Sequence, residues 1–226
     1  MSEHIWHRPP FTPAHRGNSR RGLIKAYDAR AWGIDIDILL SRSTPADPDG
    51  IPIACHWQRP LRFDSFYDPR GKLSRNARVS ELLGHEVFRL QTRGKNPYRI
   101  RAVSHLMRWN VRLAEWWNVR LAESYRRDPL VLCLEVKPDP RFGRVSVYER
   151  LLTEAADIGC PIRIMTQPRG GDGLEYAQAA KAAGAQVILL RRGRVGKQWL
   201  AVLGEGDRIK HRGRLWTLEE TVRRGL

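Results

Sequence analysis

The feature that most limits the fold is the alternation of strand-like and helix-like segments after Asp128-Pro129. Leu130 to Val136 is a continuous apolar run that closes on Glu135-Val136-Lys137. Residues 144–158 carry helical spacing and stop at Gly159, and 161–165 read as a second strand. Residues 173–183 form an Ala-rich helical stretch stopped at Gly184, and 185–190 read as a third strand. Short apolar runs separated by amphipathic stretches of this length predict parallel βαβ units. Two architectures use such units: a doubly wound sheet and a (β/α) barrel. No Gly-rich dinucleotide fingerprint follows any of these strands, which counts against a nucleotide-binding doubly wound sheet. The spacing over 197–203 predicts a last short helix.

The first half is less regular. Residues 1–11, with Pro9-Pro10, read as an extended arm, and Thr12 to His15 as a short strand entering the Gly17 turn. Helical spacing covers 22–32 until Gly33. Ile34 to Leu40 and Ile51 to His56 read as strands on either side of a Pro/Asp/Gly loop. Residues 59–72 read as a long surface loop. A short helix is predicted near 79–83, with strands over 87–90 and 98–102. Residues 103–127 predict the longest helix, and Trp109-Asn-Val-Arg-Leu-Ala-Glu115 recurs in it as Trp117-Asn-Val-Arg-Leu-Ala-Glu123. A period of eight is close to two helical turns, so both copies are expected on nearly the same face, with an apolar stripe of Val103, Leu106, Leu113, Trp117 and Leu121.

At 226 residues, with 42% hydrophobic side chains, the chain can bury the core of a single domain over 1–226. The formal charge of +16 points to partners that carry phosphate: nucleic acid, an anionic membrane surface or a phosphorylated small substrate. Cys55, Cys133 and Cys160 are dispersed and lack zinc spacing, as expected of buried reduced thiols. His4, His7 and Arg8 interrupt the N-terminus before any leader-like apolar run, and no stretch reaches transmembrane length. A cytoplasmic protein is the expectation.

Chemistry gathers at the predicted strand ends. Asp35 and Asp37 are two apart in an apolar strand, so they share one face while Ile34, Ile36 and Ile38 share the other. Adjacent carboxylates repel unless a cation sits between them. Glu135 and Lys137 share a face in the same way. Asp35, Asp37 and Glu135 offer three hard oxygen ligands suited to one divalent cation, Mg²⁺ or Ca²⁺. Arg16 and Lys137 suit phosphate contacts. His15 and His56 suit general acid and base work near neutral pH. In a (β/α) barrel the active site is built from residues at the C-terminal ends of several strands, and these candidates fall at or near such ends.

Taken together, His15-Arg16-Gly17, the acidic-x-acidic strand, the strand ending at His56 and Leu134-Glu135-Val136-Lys137 resemble the glycerophosphodiester phosphodiesterase family. Trp216-Thr217 is similar to the Trp-Thr that closes that family's seventh strand. The resemblance implies a TIM-barrel-like fold and metal-dependent cleavage of a small phosphodiester. By it, His15 and His56 match the catalytic pair, Asp35, Asp37 and Glu135 the metal carboxylates, and Arg16 and Lys137 the phosphate contacts. The chain departs from the pattern at several points. The Pro-Glu-Asn-Thr segment after the first His is missing, Asp35 stands where the family has Glu, and Trp57 follows His56 where the family has Asp. The chain ends at Leu226, where the family's eighth strand would begin, so the expectation is a barrel incomplete at its C-terminus. The alternative from a different class is a catalytically degenerate barrel that binds an anionic partner, nucleic acid or acidic lipid headgroups, through its basic face.

Overall fold

The chain is assembled around β2, Gly33–Leu40, in a computed structural model that describes residues 5–6, 18–28, 31, 33–56, 66–71, 77–92, 99–120, 128–166, 172–193, 196–203, 209–211 and 214–216. The other strands are β1 (Ile5–Trp6), β3 (Pro52–Ala54), β4 (Phe66–Tyr67), β5 (Gln91–Thr92), β6 (Arg101–Ala102), β7 (Val131–Val136), β8 (Ile162–Thr166), β9 (Val187–Gly193), β10 (Gly196–Leu203), β11 (Ile209–His211) and β12 (Arg214–Trp216). The helices are α1 (Arg20–Asp28), α2 (Gly84–Val87), α3 (Val103–Arg120), α4 (Val145–Ile158) and α5 (Asp172–Ala182).

One eight-stranded sheet runs in the order β10-β9-β8-β7-β2-β3-β6, with β1 also against β2. The pairs β2–β7, β7–β8 and β8–β9 are parallel, as the βαβ pattern requires. The pairs β2–β3, β3–β6 and β9–β10 are antiparallel. The α/β class therefore holds. The barrel differs: among the described residues the sheet is open, and no pairing joins its β10 end to its β6 end. Trp216 ends β12, which pairs antiparallel with β11 in a separate hairpin rather than extending the parallel run.

The four longer helices, α1, α3, α4 and α5, lie to one side. Ile34, Ile36 and Ile38 of β2, Leu132 and Leu134 of β7, Ile164 of β8 and Val187 of β9 form one buried cluster with the inner faces of α1, α3, α4 and α5. A doubly wound sheet would distribute its helices over both faces. On the opposite face, Leu39, Ile53 and Cys55 pack with Ala77, Val79, Leu82, Val87, Leu90 and Ile100, and Cys133, Met165 and Ile188 form a smaller group. The aspartates of β2 sit on that second face, on the same side of the pleat as Leu39 and Cys133.

Local chemistry explains the element ends. Gly159 closes α4 in the left-handed conformation, φ 72°, which a side chain would resist. Gly33 starts β2 where a Cβ would press into the Val131 carbonyl, so the close approach of β2 to β7 depends on it. Arg141 ties the 41–50 loop down, donating to the backbone carbonyls of Leu40, Ser41 and Asp49 while paired with Asp139 at 2.7 Å.

Two local predictions are corrected. Residues 197–203 belong to β10 rather than a helix, because pairing along β9 satisfies their backbone at the sheet edge. Residues 87–90 end α2 and its following turn rather than forming a strand, since Leu83 N–H bonds to Glu86 and Phe88 N–H to the Gly84 carbonyl. The predicted strand at 12–15, the loop at 59–65 and the end of the long helix at 121–127 lie outside the described residues.

The repeat in α3 does not present one face twice. Eight residues overshoot two turns by about 80°. Asn110 is fully buried while Asn118 is half-buried, and Val119 is exposed where Val111 packs on the core. Asn110 anchors a buried network. It accepts from the Tyr27 hydroxyl at 3.0 Å and donates to the Leu130 carbonyl at 2.6 Å, and Leu130 N–H donates to the Tyr27 oxygen at 3.3 Å. This network joins α1 and α3 to the start of β7. Tyr27→Phe removes a buried partner from two groups and should lower stability by about 1–3 kcal/mol in urea unfolding. Val119→Ser, on the same helix but exposed, should stay within about 0.5 kcal/mol of the wild type.

Candidate metal centre

Parallel pairing of β2 with β7 aligns Asp35 with Cys133 and Asp37 with Glu135. Because side chains alternate faces, all four stand on one side of the sheet, and Lys137 follows on that side just past the strand. The acidic oxygens of Asp35, Asp37 and Glu135 come within 4.8 Å of one another. Asp37 is 4% exposed and Glu135 fully buried.

Burying two carboxylates side by side is costly without compensation. Lys137 supplies it. Its ammonium lies 2.5 Å from Asp37 Oδ1 and 2.7 Å from Glu135 Oε1, itself largely buried. Burial alone would raise the Asp37 carboxyl; contact with His56 and the charge of Lys137 outweigh it and hold the group well below the usual carboxylate range. Burial alone would lower Lys137; the charges of Asp37 and Glu135 win and hold it above its ordinary value. Burial, reinforced by the charge of Asp35, pushes the Cys133 thiol up to about 12, which keeps it protonated beside the cluster.

His56, just after β3, completes this side of the cluster with Nδ1 at 3.1 Å from Asp37 Oδ1, off the straight line of an ideal hydrogen bond. It arrives there because Cys55 N–H donates to the Asp37 carbonyl at 3.0 Å, which fixes the end of β3 beside Asp37. Asn18 approaches from another element. Among the described residues, β1 pairs with β2 at Gly33 and Ile34, and β3 from Ile38 to Leu40. In the gap between them the Asn18 amide takes the place of a neighbouring strand: its Oδ1 accepts from Asp37 N–H at 2.9 Å and its Nδ2 donates to Asp37 Oδ2 at 3.3 Å.

Of the seven residues predicted for the site, the structure brings five together: Asp35, Asp37, Glu135, Lys137 and His56. His15 and Arg16 lie outside the described residues. Lys137 is not aimed outward for phosphate but stands between two carboxylates. Asn18, directly after the His-Arg-Gly motif, was not predicted. An Asn ahead of a helix reads as a cap, and nothing local signals that its amide bonds to a strand nineteen residues away.

The donor set fits a hard divalent cation. All three side chains offer oxygen, their mutual distances suit one ion with bonds of about 2.0–2.6 Å, and three carboxylates against one ammonium leave a formal charge of −2 to balance. The chain matches no family profile, no curated protein and no solved structure. No helix among the described residues is long and apolar enough to cross a membrane.

Asp37 carries the pH dependence of the cluster. A carboxyl held low in the folded state stabilises the fold above its ordinary pKa of about 4, and that contribution is lost as pH falls further. Asp37→Asn should cost about 3–5 kcal/mol at pH 7, where Lys137 loses a buried partner. The deficit relative to wild type should shrink by about 1.4 kcal/mol per unit below about pH 4, checked by urea unfolding at several pH values. Lys137 acts at the other end: its contribution persists below about pH 10 and is lost only above it.

Proposed function

We propose that the cluster is the centre of a metal-dependent phosphodiesterase of the glycerophosphodiester phosphodiesterase kind, with the parallel run β2-β7-β8-β9 as its counterpart of part of a (β/α) barrel. The observation that carries this reading is the convergence of Asp35, Asp37 and Glu135, with His56 seated on Asp37. Asp35, Asp37 and Glu135 would hold one Mg²⁺ or Ca²⁺, which when bound supplies Lewis-acid polarisation of a phosphoryl oxygen.

The remaining steps belong to side chains. A substrate hydroxyl next to the diester attacks phosphorus and gives its proton to one histidine, forming a cyclic phosphodiester as the bond to the leaving alcohol breaks. A second histidine protonates that alcohol, and water then opens the cyclic product. His56, engaged through Nδ1, works through Nε2. Asp37 fixes the ring, with its Oδ1 3.1 Å from Nδ1. His15 is the other acid–base residue of this reading, and Arg16 its phosphate contact. Lys137 neutralises part of the carboxylate charge, so that an anionic diester is not repelled from three acidic groups.

The second reading, a catalytically degenerate domain that binds nucleic acid or an acidic surface, draws on one observation. The Lys137 ammonium already occupies the space between Asp37 and Glu135, as an internal cation would.

Release of p-nitrophenol from glycerol 3-(p-nitrophenyl phosphate), whose 2-hydroxyl can attack phosphorus, separates the two. The enzyme should turn over with Mg²⁺ or Ca²⁺, stop with chelator, and fall by about 10²-fold or more in His56→Ala. Glu135→Gln should abolish the metal dependence. Absence of metal-dependent turnover in folded protein, together with DNA binding that weakens steeply with salt, would establish the binding reading instead.

A further inference from the structure

A second feature lies beside the cluster and no part of the mechanism uses it. A cavity of about 600 Å³ opens between α1, the start of α3 and the strand leading into it. Arg20, Arg21, Arg99, Arg101, His105 and Trp109 face it, and among the described residues its lining holds no carboxylate. Asn18 belongs to both places: it lines this cavity and holds Asp37 through both ends of its amide. The cavity therefore adjoins the proposed site of cleavage.

Four guanidinium groups around one concavity focus a positive potential that isolated surface arginines do not produce. Arg20 is braced, its guanidinium 3.7 Å from the centroid of the Trp109 ring, so a planar fork is held at the wall of the cavity. Ile24, Leu106 and Trp109 give the floor an apolar surface. His105 responds to this environment: burial, then Arg101, Arg108 and Arg112, hold it below its ordinary pKa. The groups facing it from the other elements, Arg20 and Arg21 of α1 and Arg99 ahead of β6, carry the same sign. A site of this charge rejects an ammonium headgroup and accepts a phosphate, which guanidinium forks bind bidentately.

We infer that the arginine-lined cavity is a subsite for a second phosphate of the substrate, so that the preferred class is a phosphodiester bearing a further phosphate beside the scissile one. This rests on the reading of the acidic cluster as a phosphodiesterase centre. Between the two phosphates, the apolar floor takes an uncharged portion of the ligand. A diester with a choline or ethanolamine head is disfavoured.

The test compares two p-nitrophenyl diesters with Mg²⁺ present: uridine 3′-(p-nitrophenyl phosphate), whose 2′-hydroxyl can attack phosphorus, and the same compound with a 5′-phosphate. The 5′-phosphorylated compound should show a kcat/KM at least about 10-fold above its parent, chiefly through KM, as expected for one charge-assisted contact pair. In Arg99→Gln/Arg101→Gln the preference for the 5′-phosphate should fall towards one. Both residues are exposed, and an unchanged thermal midpoint confirms the fold. Equal kcat/KM for the two uridine esters, or a preference that survives the double substitution, overturns the subsite.

A separate measurement keeps the subsite testable if none of the esters is cleaved. Thymidine 3′,5′-bisphosphate and thymidine are titrated calorimetrically in chelator, where the acidic cluster has no divalent cation to offer. Binding of the bisphosphate alone, weakened about 10-fold or more in Arg99→Gln/Arg101→Gln, sustains the cavity as a phosphate site even though the phosphodiesterase reading has failed. No binding of the bisphosphate, or equal binding to both proteins, overturns it.

Discussion

The ammonium of Lys137, held between Asp37 and Glu135, is the interaction on which the rest of the centre depends. Two carboxylates on neighbouring strands, both out of water, would otherwise force one another to take up a proton or push the strands apart. Lys137 can reach both because β2 and β7 run parallel and in a register that places Asp37 beside Glu135. A one-residue slip would send Asp35 and Asp37 into the apolar layer under the helices. The ion network and the strand register therefore specify each other: the hydrophobic face fixes which residues point inward, and the charged face penalises any other alignment.

The placement of the four longer helices on one side makes this possible. With α1, α3, α4 and α5 all on the face of Ile34, Ile36 and Ile38, the helices and their apolar core leave the other face to the acidic residues at the middle of the sheet. Among the described residues, Asp37 lies between the short pairings of β1 and β3 along one edge of β2. That gap lets Asn18 reach its backbone, and the end of β3 brings His56 to its carboxylate. The cluster is assembled from three separate parts of the chain, and Asn18 extends it to the arginine-lined cavity next door.

Much of this was legible before any coordinates. Period-two spacing placed Asp35 with Asp37 and Glu135 with Lys137, and the βαβ rhythm predicted the parallel run of β7, β8 and β9 with α4 and α5 between them. What misled were segments whose local pattern was weaker than their tertiary setting. Residues 197–203 have spacing that a helix could use, yet the edge of β9 offered backbone partners on both sides of an irregularity at Leu200. The two copies of the seven-residue motif in α3 are identical in sequence but sit about 80° apart around the helix, so Asn110 became a buried hub and Asn118 did not. Strand direction was also beyond local reading: β3 is antiparallel to β2, where a barrel would have it parallel.

The sequence by itself determined the parallel α/β core, the residues that share each strand face and the oxygen-rich character of the centre. These follow from side-chain periodicity and ligand chemistry, which act over a few residues. Only the tertiary structure decided that Lys137 sits inside the acidic cluster rather than facing a substrate, that Asn18 fills the open edge of β2, and that four arginines from distant segments share one cavity. Those outcomes depend on which strands become neighbours and where an edge is left unpaired. Electrostatic partners in a buried site are chosen by proximity in space, and no local spacing encodes that.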